Sequence, residues 1–63
     1  MTSIELYRRK QGLNQTELGE LIGVTTQTIS NYETQKNDPT TRRYKQLAEA
    51  LGLDDWTVLT KEA

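Results

Sequence analysis

The chain reads as an all-α domain, five short helices around one core. Three observations predict this. Apolar residues recur at i, i+3 and i+4 along most of its length. Helix-capping residues and glycine stops alternate at short intervals. No segment has the strict apolar–polar alternation of a half-buried strand. With 63 residues there is room for one domain, residues 1–63, and a chain of that size buries only about 60% of its unfolded surface.

Each helix follows from local signals. Thr2 and Glu5 have capping-box spacing, and Ile4, Tyr7 and Arg8 continue one face of a helix that runs to about Gln11 and stops at Gly12. Arg8, Arg9 and Lys10 suit the negative C-terminal end of that helix. Asn14 caps a second helix, with Glu17 three residues on, an apolar stripe of Leu18, Leu21 and Ile22, and Gly23 as its end. Thr25 caps a third, with Ile29 and Tyr32 facing inward, and Lys36-Asn37-Asp38-Pro39 is a loop by composition. Thr40 or Thr41 begins a fourth helix on Tyr44, Leu47, Ala48 and Leu51, stopped by Gly52; Asp54 caps a last short turn holding Trp56 and Leu59. Leu13, Val24 and Leu53 complete the predicted core. Isolated helices below ~12–15 residues are marginal, so packing has to supply the order.

The inventory excludes several classes of function. There is no cysteine and no histidine, which removes disulfides, thiolate nucleophiles and thiolate or imidazole metal sites. The remaining possible ligands are scattered carboxylates, so no metal and no cofactor are expected. A hydrolase fits poorly, since no histidine can act as base and no paired carboxylates share a helix face with a nucleophile. No apolar run approaches the ~20 residues that span a bilayer, and no signal peptide is recognisable. The expectation is a soluble intracellular domain that is not an enzyme.

The net charge is −1, which taken whole argues mildly against a polyanionic partner. Its distribution argues the other way. Residues 1–45 carry seven bases and five acids, whereas residues 46–63 carry Lys61 against Glu49, Asp54, Asp55 and Glu62. The local field decides where an anion binds.

The most informative segment runs from Thr25 to Thr34. At about 100° per residue, Thr26, Gln27, Ser30, Asn31 and Thr34 occupy roughly 140° of arc opposite Ile29 and Tyr32. A solvated face usually takes Glu, Lys, Ala and Gln, which form helices well and offer ion pairs. This face has no charge and is rich in mediocre helix formers. Side chains that both donate and accept hydrogen bonds match the base edges of the DNA major groove, where Gln or Asn pairs with adenine N6 and N7 and a Thr methyl meets the thymine methyl. A bland polar surface is the competing interpretation of the composition alone.

A capped helix ending at Gly23, a three-residue turn and a second short helix with a polar outer face make a helix-turn-helix. Residues 13–33, Leu-Asn-Gln-Thr-Glu-Leu-Gly-Glu-Leu-Ile-Gly-Val-Thr-Thr-Gln-Thr-Ile-Ser-Asn-Tyr-Glu, resemble the Cro/phage-repressor (lambda-repressor-like) helix-turn-helix family. The resemblance extends to the Arg8–Leu13 entry, to Gly19 where the two helices cross, and to Leu47-Ala48 through Leu51-Gly52-Leu53 and Trp56. Each feature alone is weak; the ordered set is specific. It implies a compact five-helix lambda-repressor-like fold with the helix-turn-helix at helices 2–3. It also implies that the segment Thr26–Glu33 enters the major groove, with Thr26, Gln27 and Asn31 reading bases and Ser30 nearby.

The same resemblance makes Gln15 a phosphate clamp able to touch an outer base, and makes Lys36, Asn37, Thr40, Arg42 and Arg43 grips on the flanking backbone. Asn14 and Thr25, as N-caps, would aim backbone N–H groups at phosphates. Arg8 and Glu33 match positions that form a structural ion pair between the first and third helices. The family commonly has a glycine soon after the position of Glu33, where this chain has Thr34-Gln35. The slightly acidic total charge implies weak non-specific DNA binding.

The resulting expectation is a sequence-specific regulator of transcription, a repressor or similar, cytoplasmic and bacterial or phage-encoded. It would bind a palindromic double-stranded operator as a homodimer, through the loop and a C-terminal segment including Val58 and Leu59. The chain would be either a complete Cro-sized protein or the N-terminal domain of a larger repressor. The alternative is a protein-interaction module on the same fold, antitoxin-like or regulator-sequestering, with an exposed Leu6 and Trp56-Thr57-Val58-Leu59 as footholds.

Overall fold

In the computed structural model, which describes residues 2–61, four α-helices follow one another: α1 Ser3–Lys10, α2 Gln15–Ile22, α3 Thr26–Glu33 and α4 Thr41–Ala50. No β-strand forms among the described residues. The fifth expected helix is instead a 3-10 helix, Trp56–Thr60, capped by Asp55 rather than Asp54. Its five residues are too few for α-helical hydrogen bonding to become cooperative.

The caps lie where local chemistry puts them. The Thr2 hydroxyl accepts the Glu5 N–H, the Thr40 hydroxyl accepts the Arg43 N–H, and Asn14 with Glu17 forms a reciprocal capping box. Glu5 also pairs with Arg9 one turn along at 2.6 Å. The helices end alike, by a bond from an N–H to the carbonyl five residues earlier: Leu13 to Arg8, Val24 to Gly19, Lys36 to Asn31 and Leu53 to Ala48. This closure needs one residue of left-handed backbone. Gly12, Gly23 and Gly52 supply it after α1, α2 and α4, whereas Gln35 supplies it after α3, with φ 62°.

Leu18, Ile29, Leu47 and Leu51 are fully buried, with Ile4, Ile22, Ala48 and Leu59 beside them. Each large side chain of this kind contributes roughly 1.5–3 kcal/mol. Tyr7, Leu13, Val24, Tyr32, Tyr44, Leu53, Trp56 and Val58 pack around this centre. Tyr44 stacks on Trp56 with ring centroids 5.9 Å apart. Burial, reinforced by the Asp38 charge, raises the pKa of the Tyr44 phenol and keeps it neutral. Two side-chain bonds join segments distant in sequence: Ser3 Oγ donates to the Lys61 carbonyl, and Gln11 Nε2 donates to the Leu51 carbonyl at 2.9 Å.

Leu21 departs from the expected core. It is 59% exposed, because Leu18 and Ile22 already fill the space between α2 and its neighbours. Leu59 is buried in the core, where the apolar pattern places it, and so is withdrawn from the dimer contact also expected of it. Leu6 is half-buried rather than exposed, and Trp56 is committed to Tyr44.

Candidate nucleic-acid interface

The geometry of the α2–turn–α3 unit is set at Gly19. A Cβ at that position would lie 2.7 Å from the Val24 carbonyl oxygen, so the absence of a side chain lets the turn lie directly on α2. Gly23, with φ 76° and ψ 31°, reverses the chain, and Thr25 starts α3 by accepting the Thr28 N–H at 3.2 Å. The first turns of α2 and α3 then meet, and the hydroxyls of Thr16 and Thr26 share a hydrogen bond of 2.8 Å. Sequence reasoning missed Thr16. Its place in the first turn of α2 is legible, but its proximity to Thr26 depends on the angle between two helices.

The outward face of α3 carries the residues expected to read bases. Thr26 and Gln27 are exposed, and Ser30 and Asn31 are half-buried. Gln27 Nε2 donates to Asn31 Oδ1 at 3.0 Å, which fixes both amides relative to each other one helical turn apart. Gln27 keeps its Oε1 acceptor and a second N–H. Thr34 caps the end of this face by donating to the Ser30 carbonyl at 2.9 Å. The opposite side is anchored by Ile29 in the core and by Glu33.

Glu33 is the centre of a buried polar network. Arg8 Nε and Nη2 donate to its two carboxylate oxygens at 2.6 and 3.1 Å, and Arg8 Nη1 donates to the Leu13 carbonyl at 2.9 Å. The bond to Glu33 raises the Arg8 pKa against the opposing effect of burial. Gln15 Nε2 also donates to Glu33 Oε1, at 3.0 Å. One carboxylate therefore ties α1, α2 and α3 together, and Gln15, on the first turn of α2, is held by the ion pair.

The expected backbone-gripping residues are distributed unevenly. Asn14, Thr25, Lys36, Asn37, Thr40 and Arg42 are exposed. Lys36 and Asn37 direct their backbone N–H groups back to the Asn31 carbonyl, at 2.9 and 3.4 Å, which closes the end of α3. Arg43 is half-buried, and its Nη1 donates to the Ile22 carbonyl and to Gln46 Oε1 at 3.1 and 2.7 Å. The last turn of α2 has no base of its own, so Arg43 brings from α4 the positive charge that a helix C-terminus favours.

No helix among the described residues is long and apolar enough to cross a membrane. Comparison with curated proteins and with solved structures gives no match. A family model described as Helix-turn-helix (HTH_3) matches residues 4–55, from the first turn of α1 through α2, the turn, α3 and α4. With that match over most of its length, the chain belongs to the Cro/phage-repressor type of helix-turn-helix family, whose domains are DNA-binding regulators of transcription.

Proposed function

We propose that this protein is a sequence-specific repressor-type regulator that places α3, residues 26–33, in the major groove and binds a palindromic operator as a homodimer. The observation that carries this reading is the uncharged amide and hydroxyl face of α3, exposed at Thr26, Gln27 and Thr34 and half-buried at Ser30 and Asn31, and locked from behind by Ile29 and Glu33. Gln27, held by Asn31, presents one acceptor and one donor, the complement of adenine N6 and N7. Asn31, Thr26 and Ser30 read the neighbouring base edges. The Thr26 and Thr16 hydroxyls are hydrogen-bonded to each other, so the two helix starts act as one surface.

Around this face Asn14, Gln15, Thr25, Lys36, Asn37, Thr40, Arg42 and Arg43 hold the sugar–phosphate backbone. Exposed Lys36 and Arg42 act through charge, and the caps act through backbone N–H groups. One helix of this length covers only a few base pairs, so two copies on half-sites about 34–36 Å apart supply the specificity.

Selection of tight binders from random duplexes, followed by sequencing, tests the reading. The expected result is a two-fold symmetric consensus whose affinity falls linearly with salt on a log–log plot, with a slope of several units. Absence of duplex binding at low salt would instead favour a protein-interaction module.

A further inference from the structure

Thr16 belongs to neither the core nor the Arg8–Glu33–Gln15 network. It is exposed in the first turn of α2, and its Oγ1 lies 2.8 Å from the Oγ1 of Thr26 at the start of α3. Either oxygen can be the donor. The neighbouring hydroxyls of Thr25 and Thr28 pair with each other instead, at 2.9 Å. Among the described residues the Thr16 and Thr26 hydroxyls bond only to each other.

Each hydroxyl has one proton and two lone pairs. The pair therefore uses one proton internally and keeps one to give outward. That outward proton leaves from whichever oxygen is not donating to the other, so the partner met by one threonine decides what the second can offer.

With α3 in the major groove, as proposed above and on which this inference rests, the first helix of the unit crosses the sugar–phosphate backbone. Thr16, on α2, then meets a phosphate while Thr26 meets a base edge. A phosphate oxygen only accepts, so the outward proton goes to it from Thr16. Thr26 must then donate to Thr16, and it faces the base with lone pairs alone.

We propose that Thr16 is a specificity-determining residue: by donating to a phosphate it fixes Thr26 as an acceptor, and the pair selects a base that presents an amino group. In the major groove those groups are adenine N6 and cytosine N4. Guanine O6 and N7 and thymine O4 are acceptors, and against Thr26 they would leave two acceptors opposed with no proton between them. The favoured chain of bonds runs one way, from the amino group through Thr26 and Thr16 to the phosphate. Each bond polarises the next, and the last is strengthened by the phosphate charge. Gln27 differs, because its amide keeps a donor and an acceptor on separate atoms.

The test measures the affinity of the whole chain for duplexes carrying the selected operator, with each base in turn at every position of a half-site. The expected result is a position where adenine and cytosine exchange with little loss and guanine or thymine costs about tenfold. Thr16→Val keeps the branched shape and a similar helix propensity but has no hydroxyl, which frees the Thr26 proton to point outward. The preference for amino bases should vanish at that position and at no other. Melting temperature should stay the same, and so should the salt slope, since no charge is removed. Thr16→Ser should retain the preference. Absence of such a position, a wild-type preference for guanine or thymine there, or a Thr16→Val protein with the preference intact would overturn the relay while leaving the DNA reading in place. A wild-type chain that retains no duplex at low salt would overturn both.

Discussion

The Gln27 side chain is exposed and supports no packing, yet its amide is held by Asn31 at 3.0 Å. Binding and stability should therefore separate at this residue. Gln27→Ala is expected to weaken binding to the preferred duplex by about 1–3 kcal/mol. Calorimetric melting of the same variant should show almost no change; a large drop in melting temperature would mean that the amide serves the fold. At Gln35 the backbone conformation itself is the unusual feature. Its φ of 62° lies where an L side chain costs energy and glycine does not. Gln35→Gly should be more stable than Gln35→Ala in urea titrations by up to about 1 kcal/mol, since both lose the side chain and only glycine escapes the left-handed cost. The missing glycine after Glu33 thus leaves the helix end intact, because Gln35 adopts the left-handed conformation and Lys36 still closes onto Asn31.

Among the elements, the α2–turn–α3 unit is a single rigid piece because the turn rests on Gly19. Gly19→Val puts a branched side chain against the Val24 carbonyl, 2.7 Å from where Cβ must sit. The two helices would have to spread, costing stability by about 1–3 kcal/mol, and duplex binding should weaken more than melting alone explains, as read by titration below the melting range. The 3-10 helix carries a separate pH signature. Hydrogen bonds from the Thr57 hydroxyl and N–H, at 2.7 and 2.9 Å, hold the Asp55 carboxyl below its ordinary range. A carboxyl lowered in the folded state stabilises at neutral pH, and its contribution fades as acid protonates the unfolded chain first and then the folded one. The stability gap between wild type and Asp55→Ala should accordingly be full at pH 7 and close below the ordinary carboxylate range. A gap independent of pH in chemical denaturation would remove the charged cap from the explanation. Caps and stops are local chemistry, which is why the four α-helices are legible from Thr2, Asn14, Thr25 and Thr40. The 3-10 geometry is not, because Asp54 and Asp55 offer the same cap in sequence, and the choice of Asp55 emerges only in the folded chain, where it accepts the Thr57 N–H.

For the whole molecule, the Arg8–Glu33–Gln15 network joins three helices through one carboxylate whose side chain is 3% exposed. Removing one partner strands a buried charge, so Glu33→Ala should destabilise by about 3–5 kcal/mol. The double variant Arg8→Met/Glu33→Leu should recover much of that loss, since an apolar pair of similar volume avoids the desolvation cost. Equal loss in single and double variants would show that packing, not charge, is what these positions supply.

Sequence alone determined the helical class, the helix starts and stops, most of the core and the charge-free outer face of α3, since each depends on periodicity or on residues within a turn of one another. Tertiary structure alone decided that Leu21 faces out, that Gln15 joins the Arg8–Glu33 pair and that Thr16 meets Thr26. Those facts depend on the angles at which short helices cross, and such angles are set by the volumes of side chains distant in the chain.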